Sequence, residues 1–253
     1  MWRLDTWCSN MLSEISRKNL LLARRLLKVS SWLAAPLYLL FVVALYLAFI
    51  YAPTERVMGQ VQRIFYFHVG AAWNAMYVCF LLVFLSGILY LRSRKRVWDH
   101  VAASAAEIGL AFTTITLLTG IFWARPIWGT WWPWGDPRVT TVLAMWLVYM
   151  SYMIFRANLD EGEKKYKFCA VFGIIGFINV PIVTVSIRIW RTIHPVVITM
   201  DEMKLEPEMV AALMAALVAF TTLFLYVFCL RLAMRLHAGV ALEMLQEAPQ
   251  GRV

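Results

Sequence analysis

Apolar runs alternate along this chain with short charged segments, and several runs reach the ~20 residues a helix needs to cross a hydrocarbon core. Six of them stand out, at 33–52, 69–91, 101–124, 139–155, 168–187 and 209–230, the fourth being the shortest. The pattern predicts an all-α, polytopic membrane protein with six transmembrane helices. Composition agrees: 62% hydrophobic and 15% charged residues do not suit a soluble chain of 253 residues. No internal repeat, Gly-rich phosphate loop or low-complexity stretch divides the chain. One membrane domain is expected at 33–232, after an arm at 1–32 and before a tail at 233–253, with three connections on one face at 53–68, 125–138 and 188–208.

Charge fixes the expected orientation. A net charge of +9 would suit nucleic acid if it covered one surface, but the basic residues are sorted between alternate connections. Seventeen of the 24 lie in the arm, the second and fourth connections and the tail, including Arg24, Arg25, Arg94, Lys95, Lys164, Lys165, Arg231 and Arg235. The positive-inside rule then places both termini in the cytoplasm, and the sorting by side argues for a membrane and against a nucleic-acid partner. The arm, where Leu20, Leu21, Leu22, Leu26 and Leu27 alternate with Arg24, Arg25 and Lys28, reads as an uncleaved amphipathic helix on the inner surface. Cys8, Cys79, Cys169 and Cys229 are scattered and make no Cys-x-x-Cys or Cys-x-x-Cys-His, so neither thiol exchange nor covalent haem attachment to this chain is expected.

The outer face carries the chemistry. Of four histidines, His100 and His237 fall at the inner face, whereas His68 precedes the second run and His194 follows the fifth. Two imidazoles from different segments suit the two axial positions of a haem iron, while a zinc site would want further His or Cys. Residues 54–68 read as an amphipathic outer helix, with Arg63 about one turn from His68, where a guanidinium can meet a propionate. A helix lying on the membrane surface is the alternative that explains that pattern without haem. From 124 to 141 the chain carries Trp128, Trp131, Trp132 and Trp134 among Pro126, Gly129, Pro133, Gly135 and Pro137, which predicts a non-helical aromatic platform. An interfacial tryptophan belt is the plainer reading, but a belt needs only scattered anchors. Stacking on a flat macrocycle with Arg138 near an acid group accounts for the density.

Three motifs here resemble the cytochrome c maturation protein C (CcmC) family, within the haem-handling group marked by a Trp-x-Trp-Asp loop. Met58-Gly59 through Ile64, Tyr66, His68-Val69 and Ala71-Ala72-Trp73 are similar to its first outer segment. Residues 128–140 are similar to its tryptophan signature, and Trp190, Thr192 and His194 to its last outer loop. Gly135 departs from the pattern by separating Trp134 from Asp136. The resemblance implies that His68 and His194 are axial ligands of a non-covalent haem b. It also implies that Trp128, Trp131, Trp132, Trp134 and Asp136 contact haem and a haem chaperone, with Arg63 and Arg138 at matching positions. Implied partners are an ABC-type transporter of ATPase and membrane subunits, a small one-span helper and the chaperone. No acid–base centre is implied, so the chain is not expected to be an enzyme, although promotion of covalent haem attachment to a chaperone stays open. The competing reading is a membrane electron carrier of b-type cytochrome character, which would want ligands buried between facing helices.

Within the spans, Glu107 reads as an acid near the inner interface that reaches water or pairs with His100 or Arg96. Thr113, Thr116 and Thr119, with Gly120, read as a close helix-packing stripe. Asn179 and Pro181 are expected to loosen the fifth span.

Overall fold

The computed structural model describes residues 14–190 and 205–247, and among them every regular element is helical. Six helical stretches are long and apolar enough to cross a membrane: Glu14–Tyr51, Gln60–Ser93, Arg96–Trp128, Pro137–Asn158, Glu163–Ser186 and Pro207–Leu245. The chain is a multi-pass membrane protein, as its hydropathy predicts. The first span is α1 (Glu14–Tyr46), which ends in a π turn at Leu47–Tyr51. A 3-10 turn, Gln60–Arg63, leads into α2 (Ile64–Trp73), a π segment at Asn74–Phe80 and α3 (Leu81–Ser93), which together make the second span. The third and fourth spans are α4 (Arg96–Trp128) and α5 (Pro137–Asn158). The fifth is broken into α6 (Glu163–Gly176) and α7 (Asn179–Ile189), and the sixth is α8 (Pro207–Glu247).

Several boundaries differ from expectation, each for a local reason. Residues 54–59 are not helical: the Glu55 carboxylate accepts from the N–H groups of Val57 and Met58, and Gly59 takes φ 59°, so the chain turns before the helix starts. His68 therefore sits inside the second span's helix. Pro126 does not end α4, because the single lost N–H bond falls in the helix's last turn. Gly129, at φ 72°, ends it instead, with its N–H on the Arg125 carbonyl at 3.1 Å. The arm is continuous with the first span from Glu14 and packs along α8, with Ser16 donating to Glu243 at 2.6 Å. The fifth span does loosen where Asn179 predicts: its Nδ2 donates to the Gly176 carbonyl at 3.1 Å across the break.

Small residues set how closely the helices approach, as membrane packing requires. Ala23, Ala48, Ala212, Ala216 and Ala233, all fully buried, line the α1–α8 contact. At the centre, a Cβ on Gly109 of α4 would stand 2.6 Å from Cε1 of Phe80, so glycine alone lets the second span seat there. Phe80 in turn stacks on Tyr149 of α5 at 3.6 Å and 7°.

Ion pairs collect at the end of the bundle that carries the basic connections. Arg156 of α5 grips Asp99 of α4 through two bonds, one of them 2.8 Å, with both side chains buried. Glu107 accepts from Arg231 at 2.5 and 3.2 Å and from Arg235 at 3.0 Å. Its partners are thus on α8, not His100 or Arg96 as expected, because α8 continues as helix past 230 and brings both guanidinium groups beside α4. Arg96 turns instead to Glu161 and Glu243, and lies over the Tyr166 ring.

Candidate functional site

At the opposite end, a cleft of about 230 Å³ opens between the second and third spans and is closed on one side by the tryptophan segment. The second span contributes Phe65, His68, Ala72, Trp73, Met76 and Tyr77. The third contributes Thr116, Gly120, Trp123 and Trp128, the connection Trp131, Trp132 and Pro133, and the start of α5 Arg138, Val139 and Val142. Five residues expected at a site, from two separated stretches of the chain, meet here: His68, and Trp128, Trp131, Trp132 and Arg138. His194 lies outside the described residues.

His68 is half-buried on α2, facing α4. Its Nδ1 is 3.0 Å from Oγ1 of Thr119, and its ring meets the Trp123 ring edge-on with centroids 5.7 Å apart. Its neighbours on α4, Thr119, Gly120 and Trp123, are one helical face. Arg138 follows the cap of α5 and presents its guanidinium to the cleft, where no carboxylate among the described residues forms an ion pair with it. A cationic fork at an apolar cleft suits a carboxylate on the occupant.

The non-helical part of the tryptophan segment is short, from Gly129 to Asp136, and is shaped by its own hydrogen bonds. Arg125 donates to the Gly129 carbonyl and lies over the Trp131 ring at 5.8 Å. Asp136 donates its N–H to the Pro133 carbonyl at 2.9 Å, closing a turn around Gly135. Trp132 and Trp134 lie 5.7 Å apart, tilted by 57°. Trp132 lines the cleft, while Trp134 is 74% exposed at its rim.

Besides Trp134, two expected site residues stand outside the lining. Asp136, buried, caps α5: its Oδ1 accepts from the N–H groups of Arg138 at 3.0 Å and Val139 at 3.1 Å, and Pro137 holds the first helical position. Arg63 donates from Nε to Gln60 at 2.5 Å and from Nη1 to the carbonyl of Ala48. It ties the start of the second span to the end of the first. Thr119, Trp73 and Tyr77 were not singled out for the site by sequence. Tyr77 bonds Thr184 of α7 at 2.7 Å, linking the cleft wall to the fifth span. His100 stands at the other end of α4, buried against Gly239 of α8, with no aromatic platform around it.

A sequence profile of the heme exporter protein C family, CcmC, matches residues 14–243. The chain belongs to the CcmC family. It is 35% identical over 199 residues to a heme exporter protein C of Bradyrhizobium diazoefficiens, a match covering 78% of this chain and 74% of that one. Heme exporter protein C of Escherichia coli K12 is 31% identical over 165 residues, 64% of this chain and 66% of its own length. A ccmC-like mitochondrial protein of cytochrome c biosynthesis from Marchantia polymorpha is 35% identical over 157 residues, 62% of this chain and 65% of the other. The spans and these bacterial relatives make the chain a multi-pass protein of the inner membrane.

Proposed function

We propose that this CcmC-family chain holds haem at the cleft, on the outer face of the membrane, and passes it to a haem chaperone during maturation of c-type cytochromes. The observation that carries the reading is the meeting in one apolar cleft of an imidazole, five indoles and a guanidinium that forms no ion pair with any carboxylate among the described residues. That donor set fits haem: a ligand nitrogen for the iron, flat apolar faces for the ring and a cation for a propionate. His68 and His194 would hold the iron through their imidazole nitrogens, Trp128, Trp131 and Trp132 would offer flat faces to the macrocycle, and Arg138 would receive an acid group. Asp136 serves by capping the helix that aims Arg138, and Arg63 by fixing the start of the helix that carries His68. A cleft of about 230 Å³ is smaller than the roughly 300–1,000 Å³ of pockets that enclose their ligands. Haem would be only partly enclosed there, held without a covalent bond as a b-type group, and Trp134, exposed beside Trp132, would meet the chaperone. The residues used here bind and orient haem. None is an acid or base for chemistry, and bond formation to the chaperone is left to the chaperone's own nucleophile.

The basic end, with both termini, faces the cytoplasm. An ABC-type transporter of ATPase and membrane subunits and a small one-span helper complete the assembly.

The test is purification in detergent and an absorption spectrum with and without dithionite. His68→Ala should strip an axial bond and change the ferrous spectrum, whereas His100→Ala should leave it intact. Equal loss from both variants would refute the assignment of the cleft.

A further inference from the structure

The Thr113, Thr116 and Thr119 stripe of α4 has so far been accounted for only by packing, and two of its three members bear that out. The hydroxyls of Thr113 and Thr116 donate to the carbonyls of Gly109 at 2.7 Å and Phe112 at 2.9 Å, one turn back on their own helix. Thr119 does this and more. Its Oγ1 is 2.7 Å from the Ile115 carbonyl and 3.0 Å from Nδ1 of His68, on another span.

A hydroxyl has one proton, and the distances say where it goes. About 2.7–2.8 Å is the usual length of an O–H···O bond and about 2.9–3.0 Å that of an N–H···O bond. The shorter contact directs the Thr119 proton to the Ile115 carbonyl, with the Thr116 carbonyl next at 3.1 Å, and neither carbonyl can donate in return, which leaves Oγ1 to accept from the imidazole. His68 must then donate from Nδ1, and the neutral ring carries its lone pair on Nε2. The next residue completes the seat: a Cβ on Gly120 would lie 3.4 Å from Cε1 of His68, so a hydrogen there leaves the ring space to settle against α4. Trp123, one turn on, bounds the ring edge-on at 5.7 Å.

We infer that Thr119 is a positioning residue that holds His68 as the Nδ1–H tautomer and so presents Nε2 as the ligand nitrogen of the cleft. The inference rests on the reading of the cleft as a haem site, but its first consequence is visible without haem. Partners that accept from the second nitrogen of a ligating histidine fix its tautomer and raise its basicity, and their loss costs roughly 10–100-fold in affinity. A hydroxyl is a weaker acceptor than a carboxylate, so about tenfold is expected.

The experiment compares Thr119→Val, which keeps the shape and removes the acceptor, with Thr119→Ser, which keeps the acceptor. Thr113→Val serves as the control for a threonine that bonds only its own helix. In haem-free protein with ¹⁵N-labelled histidine at about pH 8, above the ordinary imidazole range, the His68 resonances are assigned by their loss in His68→Ala. They should show a protonated Nδ1 and a bare Nε2 in the wild type and in Thr119→Ser. Thr119→Val should give a mixture of tautomers. With haem titrated in, Thr119→Val should bind about tenfold more weakly and have a raised midpoint potential, because a less basic ligand stabilises ferric iron less. Thr119→Ser and Thr113→Val should match the wild type. A wild-type ring protonated on Nε2, or a Thr119→Val protein unchanged in both tautomer and affinity while His68→Ala loses haem, would overturn the inference alone. Wild-type haem binding by His68→Ala would overturn the function proposed for the cleft, whatever the tautomer.

Discussion

Replacing Asp136 distinguishes two ways in which a carboxylate beside the cleft can act. If it acts as the cap of α5, its worth can be estimated from the bonds it makes. Removing an N-cap acceptor costs about 1 kcal/mol, with a range of roughly 0.5–2. A negative charge at a helix N-terminus adds about 0.3–1 kcal/mol. Asp136→Ala should therefore destabilise the protein by about 1–3 kcal/mol, while Asp136→Asn, which retains an acceptor that caps as well as aspartate, should lose only the charge contribution. Because Arg138 is the residue whose N–H the cap holds at 3.0 Å, fraying the first turn also misdirects the guanidinium. Haem retention should then fall in the same order as stability, Ala well below Asn and Asn near the wild type. The assay is thermal unfolding in detergent followed by circular dichroism, with haem content measured on the same samples. Equal haem loss in both variants with unchanged unfolding would refute the capping argument, since it would mean that the charge itself touches the occupant.

Three further outcomes follow from the packing and the charge distribution. Glu107→Gln should lower the unfolding temperature by leaving Arg231 and Arg235 without their carboxylate. The cost is about 1–3 kcal/mol, nearer the lower figure because about a third of each group is exposed, and adding Arg235→Gln should recover part of it. Gly109→Val should cost about 1–3 kcal/mol by overpacking, since its Cβ meets Phe80 and Cys79, and unfolding midpoints of Gly109→Ala and Gly109→Val should fall with side-chain size. In a cysteine-free background, a Cys placed at Thr130 should react with a membrane-impermeant maleimide from outside and one at Lys95 should not; the reverse would invert the orientation and remove the cleft from the outer face.

Hydropathy alone carried most of the fold, because a bilayer demands long apolar helices and leaves few alternatives. The six spans were legible for that reason. Their ends were less so, since they depend on single side chains: the Glu55 carboxylate that bends 54–59 away from helix, and Gly129, not Pro126, that stops α4. Five of the expected site residues meet in the cleft because aromatic density and an isolated histidine are compositional signals. Arg63 was legible as a residue near the site but not in its contacts, whereas Asp136 was open to two readings, a contact with haem or backbone hydrogen bonds that orient the loop, and the structure shows the second. A capping aspartate before proline carries a sequence signal, Asp136-Pro137, that could have given its bonds in advance. The partners of Glu107 and Thr119 could not be read, because both lie on other spans and depend on the register between helices, which no local pattern encodes.

That register also sets how differently the two ends of the bundle are tied. Among the described residues, the ion pairs between spans are at the basic end: Arg156 with Asp99 joins the fourth span to the third, Glu107 with Arg231 and Arg235 joins the third to the sixth, and Arg96 reaches Glu243 on the sixth. Charged pairs withdrawn from water hold their geometry strictly, because separating them strands a charge. Toward the cleft the spans are joined by neutral bonds, His68 to Thr119, Tyr77 to Thr184 and Trp146 to Thr114, and by one guanidinium–carbonyl bond, Arg63 to Ala48, with no ion pair between spans there among the described residues. Each neutral bond is worth about 0.5–1.5 kcal/mol net, so the helices there can separate slightly without a large penalty. A bundle clamped at one end and lightly tied at the other suits a site that must admit a rigid macrocycle and later release it. Locking the cleft end with an added ion pair should therefore slow haem release more than it strengthens haem binding.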